Sequence, residues 1–404
     1  MSVLRIASIV HPERMEQVPE RRFELLPHVE ATILALPGAE SRTASSVVRR
    51  VSLPVRGSGR AARFPSLATA LTLLDPAIVH LQADPDTALA QQVASLASKQ
   101  RRFGLVLETE ADGCDGTKWK MVSALRSRRV LASTGALVAR SAGALTCMRR
   151  LGFRGVGIVA ASGQEALPLP AAQEAKRLLD LECDVSLVLG WAGPADMGSD
   201  ILDVFEALAA CQLKVALVIV ASGGARQDLI DRADALEILD RIRFVSPHPA
   251  GPGERSAPSL AEQPILSGAI DAMLLGLPRN RFDRIAAVKN VEFAQVQGIP
   301  VIYPQHPEFA EVVGAGGWAV PRSDPGLLAR LMTTLSRLPA LVTERSDAAV
   351  SHAAMRHSPE AAAADLDRAI HAVAAGHTGV RSGLETQEAL GGLQLSFNRE
   401  PSRT

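Results

Sequence analysis

The sequence predicts an α/β protein built from two doubly wound domains in series. Three observations lead there. Short apolar bursts rich in β-branched residues are bounded by polar, Gly or Pro residues, and stretches of helical period separate them. The bursts read as parallel strands whose two faces are both covered by helices. The alternation restarts after a proline-marked segment, and a chain of 404 residues is long for a single core.

In the first half the predicted strands are LRIASIV (4 to 10), ATILALP (31 to 37), AIVHLQ (77 to 82), FGLVLET (103 to 109) and RVLAST (129 to 134). Helical stretches such as ALAQQVASLASKQ (88 to 100) lie between them. After GVGIVAAS (155 to 162), the segment ALPLPAAQEAKRLLD differs in composition from both sides. The linker is placed there, at 166 to 182, between a first domain of residues 1 to 165 and a second of 183 to 340. The second domain opens with strand VSLVLGWAG (185 to 193), helix 199 to 211, strand KVALVIVAS (214 to 222) and helix 225 to 236. Strands IRFVSP (242 to 247) and AIDAMLLGL (269 to 277) follow, then an amphipathic helix around KNVEFAQVQ and strands IPVIYP (299 to 304) and GWAVP (317 to 321). Helices 324 to 338 and 359 to 375 close the ordered pattern, and residues 377 to 404, with no sustained period, are expected to be a disordered tail.

Composition narrows the class. Hydrophobic residues at 47% and charged residues at 21% belong to a folded globular chain. Lys plus Arg and Asp plus Glu are both 43, so no net field points to nucleic acid. Four widely spaced cysteines, Cys114, Cys147, Cys183 and Cys211, form no CxxC and read as reduced core thiols. No apolar run reaches the roughly 18 residues of a membrane helix, and MSVLRIASIVHPER reads as a short strand, not a signal peptide, so a cytoplasmic protein is expected. The abundance of alanine and arginine points to a GC-rich bacterial genome and says nothing of function.

Ligands of open parallel sheets sit beyond the carboxyl ends of strands, where loops and helix N-termini offer donors to anions. In the second half those ends are 191 to 200, 221 to 228, 277 to 293 and 303 to 317. The run from Ile270 to Met332 carries Asp271, Pro278, Lys289, Glu292, Phe293, Gly298, Ile299, Pro300, Val301, Pro307, Glu308, Glu311, Gly316 and Gly317. In that order they resemble the nucleotide-binding half of GT-B glycosyltransferases of the large retaining family 4. AIVHLQAD, VARSAGALTCMRRLGF and SGQEALPLP resemble upstream segments of the same family, so the resemblance spans residues 1 to 375.

The resemblance implies two Rossmann-like domains facing each other across a cleft, the donor held by the second and the acceptor by the first. It implies transfer of a sugar, with retained configuration and no bound metal or cofactor, from a nucleoside diphosphate sugar to a saccharide or lipid-linked acceptor. Membrane contact would at most be peripheral, at the inner face, and the helices within 341 to 376 would cross back to the first domain. Glu292 matches the glutamate that holds the donor ribose, a task suited to a carboxylate with two acceptor oxygens. Arg281 to Arg284 would lie near the sugar or diphosphate, and Glu308 where a helix N-terminus meets phosphate.

The departures are specific. The family's second glutamate, eight positions earlier, is here Arg284. Its diphosphate-clamping Gly-Arg and lysine correspond to Gly190, Trp191 and Met197, and its first-domain histidine to Glu110. A catalytically inactive GT-B protein, acting as a binding or scaffolding partner, is therefore the second reading.

Each candidate has a plain structural alternative. Glu292 is a ribose ligand, or a helix charge paired with Lys289 three residues before it. Arg281 and Arg284 are phosphate ligands replacing the lost cations, or loop charges. His80 is catalytic, or a satisfied buried histidine. Glu108 and Glu110 hold an acceptor hydroxyl or a metal, or form a solvated strand end. Gly223 lets a ligand approach the backbone, or serves a tight turn. Trp191 stacks on a base or sugar, or fills a seam.

Overall fold

Parallel pairing organises both halves of the chain. The computed structural model describes residues 3–12, 20–36, 47–100, 103–109, 121–181, 185–198, 200–221, 223–245, 264–279 and 281–376. The chain divides into two units, Met1–Gly163 with Pro359–Thr404, and Gln164–Ser358.

The first unit runs β1 (Leu4–Val10), α1 (Glu20–Glu24), β2 (Val29–Ala35), β3 (Val48–Ser52), α2 (Leu67–Leu74), β4 (Ile78–Gln82), α3 (Ala88–Gln100), β5 (Gly104–Thr109), α4 (Met121–Ala132), β6 (Ala136–Ala139), α5 (Ala142–Arg150) and β7 (Val156–Val159). The second runs α6 (Ala172–Leu178), β8 (Leu187–Ala192), α7 (Ile201–Ala210), β9 (Val215–Val220), α8 (Gly223–Ala235), β10 (Ile242–Val245), α9 (Pro264–Ala269), β11 (Ala272–Leu275), α10 (Arg281–Val296), β12 (Val301–Pro304), α11 (Pro307–Val313), β13 (Gly317–Val320), α12 (Pro325–Arg337) and α13 (Pro339–Arg356). Helix α14 (Pro359–Gly376) then belongs to the first unit.

The sheets are ordered β3-β2-β1-β4-β5-β6-β7 and β10-β9-β8-β11-β12-β13. Each has the doubly wound order whose direction reverses at its first strand, so the crevice-forming points are β1/β4 and β8/β11. Alternation along the strands sends the two faces to separate cores. In the first unit, Ile9, Leu81 and Leu107 meet α2 to α5, while Ile6, Ile78 and Val106 meet Leu366, Ile370 and Val373 of α14. Helix α13 instead packs on α10 in the second unit. Gln295 of α10 ties the two together: its Oε1 meets His357 Nε2 at 3.0 Å, and its Nε2 donates to the Val313 carbonyl at 2.6 Å.

Three sequence expectations are corrected. Residues 129 to 132 are not a strand but the last turn of α4; Val130 and Leu131 are its buried face, which a short apolar run cannot distinguish from a strand. Strand β3, with Arg49 and Arg50 at its centre, has no apolar burst and escapes that pattern. Cys147 is disulfide-bonded, against the expectation of four reduced thiols, while Cys211 is free and buried. The tail from 377 and Glu110 lie outside the described residues. Among the described residues no helix is long and apolar enough to cross a membrane.

Candidate functional site

In the second unit a cavity of about 200 Å³ opens at the carboxyl ends of β8, β11, β12 and β13, the edge where doubly wound sheets take ligands. Its apolar wall includes Trp191, Leu274 and Ile302; its polar wall comprises Asp200 and Asp203 from the start of α7, Asp324 from the start of α12, Arg322 and Tyr303. The sequence builds this wall locally. Asp324 caps α12, accepting from the Leu327 amide at 2.8 Å, and Pro325 starts the helix with its φ already set. Asp200 reaches across to accept from the Leu277 amide at 2.9 Å, which ties α7 to the loop after β11. Burial raises the Asp203 carboxyl, and the charges of Asp200 and Glu206 raise it further.

Trp191 is 4% exposed, and its indole N–H donates to the Pro194 carbonyl at 3.2 Å. Its ring lies so close over Gly276 that a Cβ there would stand 2.6 Å from it. Gly190 faces the other way, and Ile270 fills the space its side chain would take, 2.9 Å from a Cβ built there. It therefore serves packing inside β8. Gly223 is the first residue of α8 at the carboxyl end of β9.

Helix α10 carries the other predicted residues of this unit. Arg281 is its first residue and Arg284 lies in its first turn, half-buried. Glu292 is eleven residues further in than Arg281, about 16 Å along the axis at 1.5 Å per residue. It is 7% exposed, whereas Lys289 is exposed, so the two do not share a surface and the solvent-facing pair is not formed. Glu308 falls in α11. A cation the sequence reading passed over is Arg279. It spans the loops after β8 and β11, 2.8 Å from Asp196 and 3.7 Å from Asp283, and its side chain is 46% exposed. Its signal was the run of three arginines in PRNRFDR, read only from the second.

The first unit holds a different arrangement on the carboxyl half of its sheet. Strand register sets Ser8 beside His80 and Gln82 beside Glu108. The His80 ring, fully buried, meets Ser8 Oγ through Nδ1 at 3.0 Å and Glu108 Oε2 through Nε2 at 3.0 Å. Arg22 of α1 grips both oxygens of Glu108, at 3.2 and 3.0 Å, and Gln82 donates to Oε2 at 3.2 Å. Burial alone would raise the Glu108 carboxyl, but the Arg22 charge and the hydrogen bonds from His80 and Arg22 outweigh it and hold it well below the usual range. Burial pushes His80 down against the pull of Glu108, leaving a neutral ring that donates from Nε2 and accepts the Ser8 hydroxyl at Nδ1. The Ser-His-Glu composition is that of a nucleophile relay, yet Ser8 and His80 are both 0% exposed. Both groups are enclosed, and the His80 ring bridges Ser8 and Glu108.

No protein-family model matches the chain, and no curated protein matches its sequence. Solved structures do match. Sucrose-phosphate synthase from Thermosynechococcus elongatus is similar with a TM-score of 0.64 at 14% identity, over 93% of this chain and 100% of the other. Anabaena HepE in complex with UDP is similar with a TM-score of 0.64 at 13% identity, over 91% of this chain and 100% of that one. A glycosyltransferase from Rickettsia africae gives 0.62 at 12% identity, over 92% and 99%. The likeness shows the fold: two Rossmann-like α/β units of the GT-B type.

Proposed function

We propose that the protein is a glycosyltransferase that takes a sugar from a nucleoside diphosphate donor held by its second unit. The observation carrying this reading is the cavity at the β8/β11 end of that sheet, in a fold whose solved neighbour HepE binds UDP, UDP with glucose, and UDP-glucose. Its volume suits one ring of the donor, not the whole molecule, since complete ligand sites run to about 300–1,000 Å³. Carboxylates accept from hydroxyls, and an indole gives a flat apolar wall, so the ring taken is a ribose, base or sugar. Three carboxylates repel a diphosphate, which instead belongs by the loop after β11 and the first turn of α10, beside Arg279 and Arg284. Those cations would stabilise the leaving diphosphate as the glycosidic bond to it breaks.

By the resemblance to retaining family 4, the anomeric configuration is kept and the acceptor, a saccharide or a lipid-linked glycan, is held by the first unit. The reaction belongs to bacterial polysaccharide synthesis at the cytoplasmic side of the membrane. The reading of a catalytically inactive partner draws no support from the neighbours.

The test is thermal unfolding with UDP, GDP, ADP, CDP and TDP at millimolar concentration. Binding to the folded state alone raises stability by about 2.7 kcal/mol at a hundred times Kd. At least one nucleotide should raise Tm, with the rise diminished in Arg279→Met and Asp203→Asn. No rise across the panel sinks the proposal. Glu292→Gln separates two donor poses: loss of the rise keeps the ribose role implied by the resemblance, and an unchanged rise confines the donor to the cavity and the start of α10.

A further inference from the structure

On α14, Asp367 and His371 stand one helical turn apart, and His28, the residue before β2, lies against them. The amide of Leu4 at the start of β1 donates to the His28 carbonyl at 2.9 Å, so the three side chains sit at the amino edge of the first sheet, opposite its ligand-taking end. One nitrogen or oxygen from each residue lies within 4.8 Å of the other two. Two contacts are shorter: His28 Nε2 to Asp367 Oδ1 at 2.9 Å and His371 Nδ1 to Asp367 Oδ1 at 3.1 Å.

The 2.9 Å contact is not a hydrogen bond. His28 Nε2 and Asp367 Oδ1 are both shut off from solvent, and neither has a partner at hydrogen-bonding angles. Sealed polar atoms are ordinarily paired, and an imidazole nitrogen and a carboxylate oxygen that meet off-axis each keep a lone pair for a third partner. From this convergence we infer that His28, Asp367 and His371 form a site for a divalent transition metal of the zinc type. Tetrahedral zinc with ligands at 2.0–2.1 Å sets ligand atoms about 3.3 Å apart, so both short contacts need open by only a few tenths of an ångström.

Two imidazoles and one carboxylate select zinc, cobalt or nickel over magnesium or calcium. Three protein ligands leave a fourth position for water on the side of His371, whose side chain is 61% exposed. His371 Nδ1 also lies 3.0 Å from the Asp367 carbonyl. Metal binding exchanges that contact for coordination by the tautomer protonated at Nε2. The metal would fasten the returning helix α14 to the edge of β1 and β2, far along the chain from its own origin, and so stabilise the first unit.

The test uses the full chain after treatment with a chelator. Titration with cobalt(II) should give the visible bands of a four-coordinate ion saturating at one equivalent, and zinc chloride should displace it. Zinc should raise Tm, and magnesium at equal concentration should not. His371→Ala, at an exposed position, and the double variant His28→Asn with His371→Ala should each bind at least 100-fold more weakly while unfolding like the stripped wild-type protein. Absence of a one-equivalent complex, an equal shift with magnesium, or unchanged affinity in the double variant overturns the inference.

Discussion

A carboxylate enclosed by protein is costly unless another charge answers it, and at Glu108 the answer is Arg22, 86 residues earlier in the chain. Replacing Arg22 with Met keeps the volume and removes the charge, leaving Glu108 buried and uncompensated. At pH 7 this should destabilise the protein by about 3–5 kcal/mol. In the native protein the folded-state carboxyl is depressed, so its contribution is full above the unfolded value and lost only as pH falls through the folded one. In Arg22→Met the charge that opposes burial is gone and only the hydrogen bonds from His80 and Gln82 remain, so the carboxyl rises, and the folded state binds the proton more tightly than the native protein does and gains on acidification. Denaturant melts of the two proteins should converge as pH drops from 7 to 5; a constant gap would mean that Glu108 is not the group left exposed to the change. The sequence placed His80 and Glu108 at strand ends and left open whether they were catalytic or structural. Their burial and their pairing with Ser8 and Arg22 appear only in the fold, since neither is a property of local sequence.

At the scale of elements, α10 shows how far a pattern reaches. The sequence located the helix and the strand led by Gly298, which turns at a φ of 73° that glycine adopts without strain. It could not say which side of the helix Glu292 occupies, because α10 is covered by α11, α13 and two strands and has little polar face left to read. Where α10's neighbour β11 ends, Gly276 donates to the Ala192 carbonyl at 3.0 Å and lets the Trp191 ring come close to the chain. In Gly276→Ala the new methyl meets the indole, with ring carbons 2.6 and 2.8 Å from the Cβ position. Overpacking of this kind costs about 1–3 kcal/mol. It should also push the ring into the cavity, weakening nucleotide binding more than Gly198→Ala, whose added Cβ would meet nothing closer than the Asp196 carboxylate at 3.3 Å. Melts and calorimetric titration of both variants check this, and equal binding by the two would show that the cavity does not hold the donor.

Across the whole molecule, the last of the described helices belongs to the first sheet although nearly two hundred residues of a second unit intervene. Leu366 and Ile370 of α14 are fully buried against Ile78, Val106 and Val138. Leu366→Ala should cost about 2–5 kcal/mol, and the loss should fall on the first unit. Hydrogen exchange should speed up in β4, β5 and β6 while β8 and β9 keep their protection; equal acceleration in both sheets would show that the units do not unfold separately. The sequence alone determined that the chain is α/β, that it has two parallel sheets, and which runs form most of their strands. Those properties come from apolar periodicity and from Gly and Pro punctuation, which act over a few residues. Only the tertiary structure decided that Arg22 answers Glu108, that Asp200, Asp203 and Asp324 wall one cavity, and that His28 meets Asp367 and His371. Each of these joins residues that strand order, not sequence distance, brings together, so no local period records them.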